Sequence, residues 1–411
     1  MQETKKKSGL FYGWIIVGLG CLIMAVIMGI IYNSFSQFIK PVSEDLCLTR
    51  QQMNLCQTLI SLTQVILALS WGKILKKISL KKYMMVIAIV APINFAMFST
   101  ANSLWQLYIH SAISGLSMAS LCTLPFSLIL ANWFNDKRGL AIGIAFMGSG
   151  LGGMLFNPVA VALIEGFGWR MGVIGLCAVM DIIGIPAVLM VRVRPEDMGL
   201  EPLGGYVTKS ASTGEEWGYT LAEAKKMPKM WMLATCTLLI NSGLSALVQA
   251  MSPHLTDRGY TTAFAATMVS ISMGAMAIGK ILLGRLYDKL GVRRATFLSL
   301  TCAFLGHMGF VFCTVKPMLG CIILGVALGC AYGTVATPII VQTVFGKKDY
   351  ASIVGIFTAM GNLGGVLSPT LNGTAYDMFG SYNLSFCLFG AFVVVAVVCY
   401  IFQLPKGEQT K

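Results

Sequence analysis

Long apolar runs recur along the whole chain, separated by short polar connections. A helix needs about 20 apolar residues to cross the hydrocarbon core of a bilayer. Twelve runs come close to that length, near residues 11–38, 52–72, 83–100, 104–131, 140–164, 170–191, 230–254, 262–284, 295–315, 318–345, 351–376 and 382–403. They are continuous rather than alternating, which predicts membrane-spanning helices and not the strands of a barrel. The first run follows Lys5, Lys6 and Lys7 as a signal peptide would. It is too long for one and shows no small-residue cleavage site before Lys40, so it reads as the first span.

The polar connections carry a charge pattern. Of the 30 Lys and Arg, five (Lys40, Arg50, Arg170, Arg258 and Lys316) fall in odd-numbered connections and one, Lys280, falls inside a span. The rest lie in even-numbered connections or near the two ends of the chain. Cytoplasmic loops hold the excess of Lys and Arg, so both termini are expected in the cytoplasm. The expected organisation is a cytoplasmic N-terminus (1–10), a six-helix bundle (11–192), a polar linker (193–229), a second six-helix bundle (230–403) and a cytoplasmic tail (404–411). The linker holds Pro195, Pro202, Gly204, Gly205 and the small polar stretch 210–214, with a short interfacial helix expected over 223–229.

Composition agrees with this class. The chain is 56% hydrophobic and 11% charged, where soluble domains have about 25% charged residues. The net charge of +13 is explained by topology, and no nucleic-acid partner is expected. The twelve cysteines are scattered through apolar runs without CxxC or Cys/His spacing, and read as small buried hydrophobes. Cys47, in a predicted outer loop, is the one to examine for oxidation. No metal site and no cofactor are expected.

The two halves repeat at an offset of 212 residues. Gly72-Lys73 aligns with Gly284-Arg285, Lys81-Lys82 with Arg293-Arg294, Gly143-Ile144 with Gly355-Ile356, and Leu151-Gly152-Gly153 with Leu363-Gly364-Gly365. Like-oriented repeats with a site between them are a mark of secondary transporters. The glycine runs sit in apolar helices with no preceding strand. They read as close helix packing and not as phosphate loops.

One stretch, residues 273–294, concentrates the chemistry. It begins as apolar helix, carries Lys280, and ends in what the pattern predicts to be a tight charged turn with Gly284, Arg285, Asp288, Gly291, Arg293 and Arg294. A cation inside a span is costly and usually faces a cavity or a partner. Lys280 is therefore the candidate anion site, and the turn a candidate gate with Gly72 and Lys73 as its first-half equivalent.

The run Gly284-Arg-Leu-Tyr-Asp288-Lys-Leu-Gly291-Val-Arg293-Arg294 resembles the loop motif of the major facilitator superfamily. In the first half Lys76 stands where the motif has an acid and Ser79 where it has its second glycine. A narrower resemblance covers nearly the whole chain. Trp133-Phe-Asn-Asp-Lys-Arg138-Gly, Gly148-Ser-Gly150, Pro158 and Gly168-Trp169-Arg170 are similar to the monocarboxylate porter group. Arg194-Pro-Glu-Asp-Met-Gly-Leu-Glu-Pro202 resembles its oxalate/formate antiporter branch. The resemblance implies that a cation four residues before the motif glycine, here Lys280, contacts a substrate carboxylate. Lys is a point charge where the group usually has the bidentate fork of Arg. The span 11 lysine of the oxalate carrier has no equivalent between Tyr350 and Tyr376. The span 1 lysine and span 8 acid of animal monocarboxylate carriers correspond to Asn33 and Met276. A single cation suits a monocarboxylate such as formate, lactate or a keto acid.

Other polar side chains inside spans have two readings each. Tyr32, Asn33, Gln64, Asn241, Gln249 and Asn362 either contact substrate or hold helices together. Tyr332 follows Gly329 where the family places cavity aromatics. Asp181, His110 and His307 are candidates for proton coupling or for structural hydrogen bonding.

The expected function is alternating-access transport of a small organic anion, as an antiporter or a proton-coupled symporter, in the plasma membrane. The expected partners are the anion, a proton or counter-anion, and the bilayer, and a monomer is expected. Two alternatives stay open: a carrier of another substrate class, such as a sugar or drug-like cation, and a non-transporting sensor. The sensor would call for a large cytoplasmic partner domain, and the stretch after Leu404 is short and polar. An enzyme is not expected, since no Ser/His/Asp set, metal cluster or paired intramembrane carboxylates stands out.

Overall fold

A computed structural model describes residues 11–205 and 217–404. The Lys5–Lys7 cluster, Lys209, the stretch 210–214 and the tail after Leu404 lie outside the described residues. Within them the regular elements are all helical, with β contact limited to two isolated bridges.

Ten helices are long and apolar enough to cross a membrane: α1 (Tyr12–Asp45), α2 (Leu55–Lys77), α3 (Leu80–Phe98), α4 (Leu104–Trp133), α5 (Arg138–Met190), α6 (Pro228–Gln249), α7 (Thr267–Val311), α8 (Lys316–Phe345), α9 (Tyr350–Tyr376) and α10 (Asn383–Gln403). Two of them exceed a single crossing. α5 has 53 residues and α7 has 45, while about 20 suffice. Each breaks once, at Gly168 (φ 81°, ψ 163°) and at Gly291 (φ 76°, ψ 168°). Glycine takes positive φ without a Cβ clash, so each long helix folds into two arms. This corrects the expected boundary after residue 284. Residues 285–290 stay helical, because Gly291 is the first position after Gly284 that tolerates the reversal.

Local signals explain several helix ends. The helix that contains α2 starts behind Thr49, whose hydroxyl accepts from Gln52 N at 3.2 Å while Gln52 Oε1 accepts from Thr49 N at 2.9 Å. This reciprocal pair satisfies two otherwise orphaned donors. The end of α5 is held by Lys81, whose Nζ donates to the carbonyls of Val188, Leu189 and Val191 at 2.7 to 2.8 Å. A cation there complements the helix dipole. The short linker helix spans Leu221–Lys226, starting two residues and ending three residues earlier than expected. Thr220 caps it, and Pro228 disfavours helix at Met227.

The first half, α1–α5, meets the second, α6–α10, along two helix pairs. α2 packs on α9, and the first arm of α5 packs on the first arm of α7. The approach is backbone to backbone. A Cβ at Gly143 would collide with the Lys280 carbonyl, and one at Gly355 with the Ala68 carbonyl. Both pairs obey the 212-residue offset. The described linker ends follow it too. Asn135 N and Asp136 N donate to Leu203 O, and Lys347 N donates to Trp217 O. Large apolar side chains such as Ile66, Ile109 and Ile278 stay exposed on the outer faces of the helices, as a lipid-facing belt requires. All twelve cysteines are free, and Cys47 is exposed.

Candidate functional site

Lys280 lies on the first arm of α7 and is 2% exposed. Its Nζ donates to Ser149 Oγ at 2.5 Å and to Phe146 O at 3.3 Å. Both acceptors belong to α5, so the two bonds cross between the halves. Asn33 joins the cluster by donating from Nδ2 to Ser149 O at 2.8 Å. Asn33 closes a π-helical segment, Gly29–Asn33, whose wider turn re-aims the side chains that follow. Among the described residues no carboxylate accompanies the lysine. The ion pairs among the described residues are Lys40–Glu44 and Arg170–Asp45. A buried ammonium held only by neutral oxygens is a strong acceptor of an incoming anion.

A cavity of about 140 Å³ opens between α2, α4, α6, α8 and α9. Gln64, Asn241 and Asn362 line it, with hydroxyls of Thr123, Thr334 and Thr358. None of its lining residues is charged. The structure thus divides the expected site in two. Lys280 and Asn33 meet at Ser149, while Gln64 and Asn362 face the cavity.

Tyr332 belongs to neither group, which corrects the expectation that it lines the cavity. It is fully buried, and its hydroxyl pairs with that of Tyr400 on α10. The cause is local. A π-helical segment, Gly325–Gly329, precedes it, and the extra residue in that turn rotates the helix beyond it. Tyr32 is half-buried and lies outside the cavity lining.

The motif residues converge where α5 begins. Asp288 accepts from Gly139 N and Leu140 N, each at 2.7 Å. These are orphan donors of the first turn of α5, and a carboxylate there is favoured by the helix dipole. Gly284 lies against Gly139, and Gly72 against Ser352 on α9. Lys73, Arg285 and Arg294 are exposed. Arg293 lies over the Phe297 ring at 5.7 Å.

The titratable candidates sit apart from both groups. His110 Nδ1 and Asn94 Oδ1 are 3.0 Å apart, and Asn94 also donates to Ser114 Oγ at 3.0 Å. His307 Nδ1 is 2.7 Å from Ala303 O among the rings of Phe386 and Phe389. Asp181 is exposed in the π-helical segment Met180–Gly184, 3.8 Å from Cys177 Sγ. Sequence reasoning missed Ser149 as the partner of Lys280, although it stands in the Gly148–Gly150 motif. It also missed Arg138 and Tyr350, which bond across the halves at 3.3 Å.

Comparisons with known proteins find relatives over most of the chain. The family model described as Major Facilitator Superfamily matches residues 16–343. Monocarboxylate transporter 12-B of Danio rerio is 24% identical, over 98% of this chain and 90% of that protein. Monocarboxylate transporter 13 of Rattus norvegicus is 26% identical, over 74% of this chain and 69% of that protein. Among solved structures, a major facilitator proton:xylose symporter bound to 6-bromo-6-deoxy-D-glucose superposes with a TM-score of 0.73 at 14% identity, covering 95% of this chain and 96% of that one.

Proposed function

Since the chain belongs to the major facilitator superfamily, and is a membrane transporter and not an enzyme, we propose that it carries small organic anions of the monocarboxylate type by alternating access. The observation that carries this reading is Lys280, a buried cation between the halves with no carboxylate paired to it. Counting the arms on either side of Gly168 and Gly291 separately gives twelve crossings. They divide into bundles 11–192 and 230–403 joined by the linker 193–229, with both termini cytoplasmic and the protein in the plasma membrane.

The mechanism follows from what Lys280 does without substrate. Its bonds to Ser149 and Phe146 tie α7 to α5, one half to the other. A carboxylate that takes the ammonium as its partner competes with those bonds and loosens the contact. It also neutralises a charge whose burial is costly, so the halves close around a neutral pair. In a low-dielectric site that attraction exceeds its strength in water. The carrier then works as an antiporter if the empty Lys280 cation cannot reorient, and as a symporter if a proton accompanies the anion.

The test is uptake and counterflow of labelled formate, lactate, pyruvate and oxalate in proteoliposomes, wild type beside Lys280→Gln. One monocarboxylate is expected to be carried, with the variant losing at least 90% of the rate, or about 1.4 kcal/mol, while remaining folded. A variant that transports like the wild type would remove the anion site. Net uptake driven by a pH gradient alone would rule out obligatory exchange.

A further inference from the structure

The cavity is a second polar surface that the anion site does not use. Gln64 makes one weak contact, from Nε2 to Met118 Sδ at 4.0 Å. Asn362 has no described hydrogen bond, and both amides face the cavity. Asn241 differs, because its Nδ2 is taken by Thr237 O at 2.8 Å. Beside it, Gly333 and Gly361 leave the space in which a Cβ would press on the Asn241 amide.

The repeat says where this surface lies relative to Lys280. Subtracting 212 from 280 gives Ala68, one helical turn from Gln64 on α2. Subtracting it from 361 gives Ser149's own position, so Asn362 adjoins the counterpart of the lysine's hydroxyl partner. The helices that hold the cation, α7 and α5, and those that hold the free amides, α2 and α9, are therefore equivalents in the two halves. Within about one helical turn of equivalent positions, the bundle carries a charge in one half-to-half pair of helices and neutral amides in the other.

From this asymmetry we infer that Gln64 and Asn362 form a subsite for the uncharged polar end of the substrate, a group rich in hydroxyl or amide functions, opposite the carboxylate held by Lys280. The inference rests on the organic-anion reading of Lys280 and narrows it. The substrate is a bifunctional monoanion. A purely aliphatic acid leaves two amides desolvated and unpaired, and a site built to hydrogen-bond its ligand rejects the analogue that lacks those groups. A second carboxylate is disfavoured because no cation lines the cavity.

The experiment uses purified full-length protein and isothermal titration with four probes: gluconate, hexanoate, adipate and the neutral polyol sorbitol. Wild type is expected to bind gluconate about tenfold or more tighter than hexanoate or adipate, with sorbitol weakest. In the Gln64→Leu/Asn362→Leu double variant the gluconate-to-hexanoate ratio is expected to fall to within about twofold of unity. Equal binding of gluconate and hexanoate by wild type overturns the subsite and leaves the anion reading intact. So does a ratio that survives in the double variant. Sorbitol binding as tightly as gluconate, unchanged by Lys280→Gln, overturns the anion reading instead. Binding of none of the four overturns the subsite, and the uptake experiment with Lys280→Gln decides the anion reading separately. If the double variant fails to fold, the wild-type ratio decides alone.

Discussion

Arg138 donates to the hydroxyl of Tyr350 at 3.3 Å, and the two residues stand 212 positions apart. That number is also the offset of the internal repeat, and Lys347 and Asn135, bonded at 2.8 Å, share it. A residue touches its own repeat-equivalent only near the axis that relates the halves. These two pairs therefore mark where the pseudo-two-fold axis leaves the bundle, beside the first turns of α5 and α9. The motif residues Gly72, Gly284 and Asp288 lie around that point.

The helix cap is one-sided. Asp288 caps the first turn of α5, but its equivalent Lys76 cannot cap α9. Asp288→Ala should weaken closure at this end of the bundle. Hydrogen bonds to a charged group contribute about 1.5–3 kcal/mol, so the open population should rise at least about tenfold. Single-molecule distances between labels on the two halves would measure it. An unchanged distribution would exclude a role for the cap in closure.

The reverse substitution is the sharper test. Lys76→Asp places a carboxylate where the repeat predicts the Ala351 and Ser352 amides. The expected outcome is a higher melting temperature, by a contribution of about 0.3–1 kcal/mol for a charge at a helix terminus, together with slower transport because closure is over-stabilised. Faster transport without stabilisation would count against it.

Ser149→Ala removes the hydroxyl that Lys280 bonds at 2.5 Å. The ammonium loses a partner in a buried site, so ligand-free stability should fall by about 1–3 kcal/mol. A bound carboxylate supplies the missing contact. The stabilisation produced by the transported acid should accordingly be larger in the variant than in wild type, read as the shift in thermal unfolding.

The glycine contacts predict opposite outcomes at two positions on the paired helices α5 and α7. Gly143→Val drives a branched side chain into the Lys280 backbone and should abolish transport, with about 1–3 kcal/mol of overpacking strain or more. Gly274→Ala, where nothing lies within 4 Å of the added carbon, should leave uptake unchanged and gain up to about 1 kcal/mol of helix propensity.

Asp45→Asn should do little. Asp45 pairs with Arg170 and accepts from Trp169 Nε1 at 3.1 Å, but both charged side chains stay partly exposed, at 39% and 43%. Exposed pairs contribute about 0–1 kcal/mol, and thermal unfolding of the variant is expected to shift by no more than that.

The sequence by itself determined the membrane class, the repeat and the lone intramembrane cation. Each is a property of composition or of spacing, and a bilayer forces apolar runs into helices whatever their neighbours. It also carried Asp288 and Gly284, because their motif is continuous along the chain. Which way a side chain points within a helix was decided only by the tertiary structure. Asn33 and Asp181 lie in π-helical segments and Tyr332 follows one, and a single extra residue per turn rotates what comes after. Tyr332 consequently meets Tyr400 rather than the cavity. Ser149 meets Lys280 because glycines at 143 and 284 let two backbones approach. That contact joins residues 131 positions apart, and no local pattern records it.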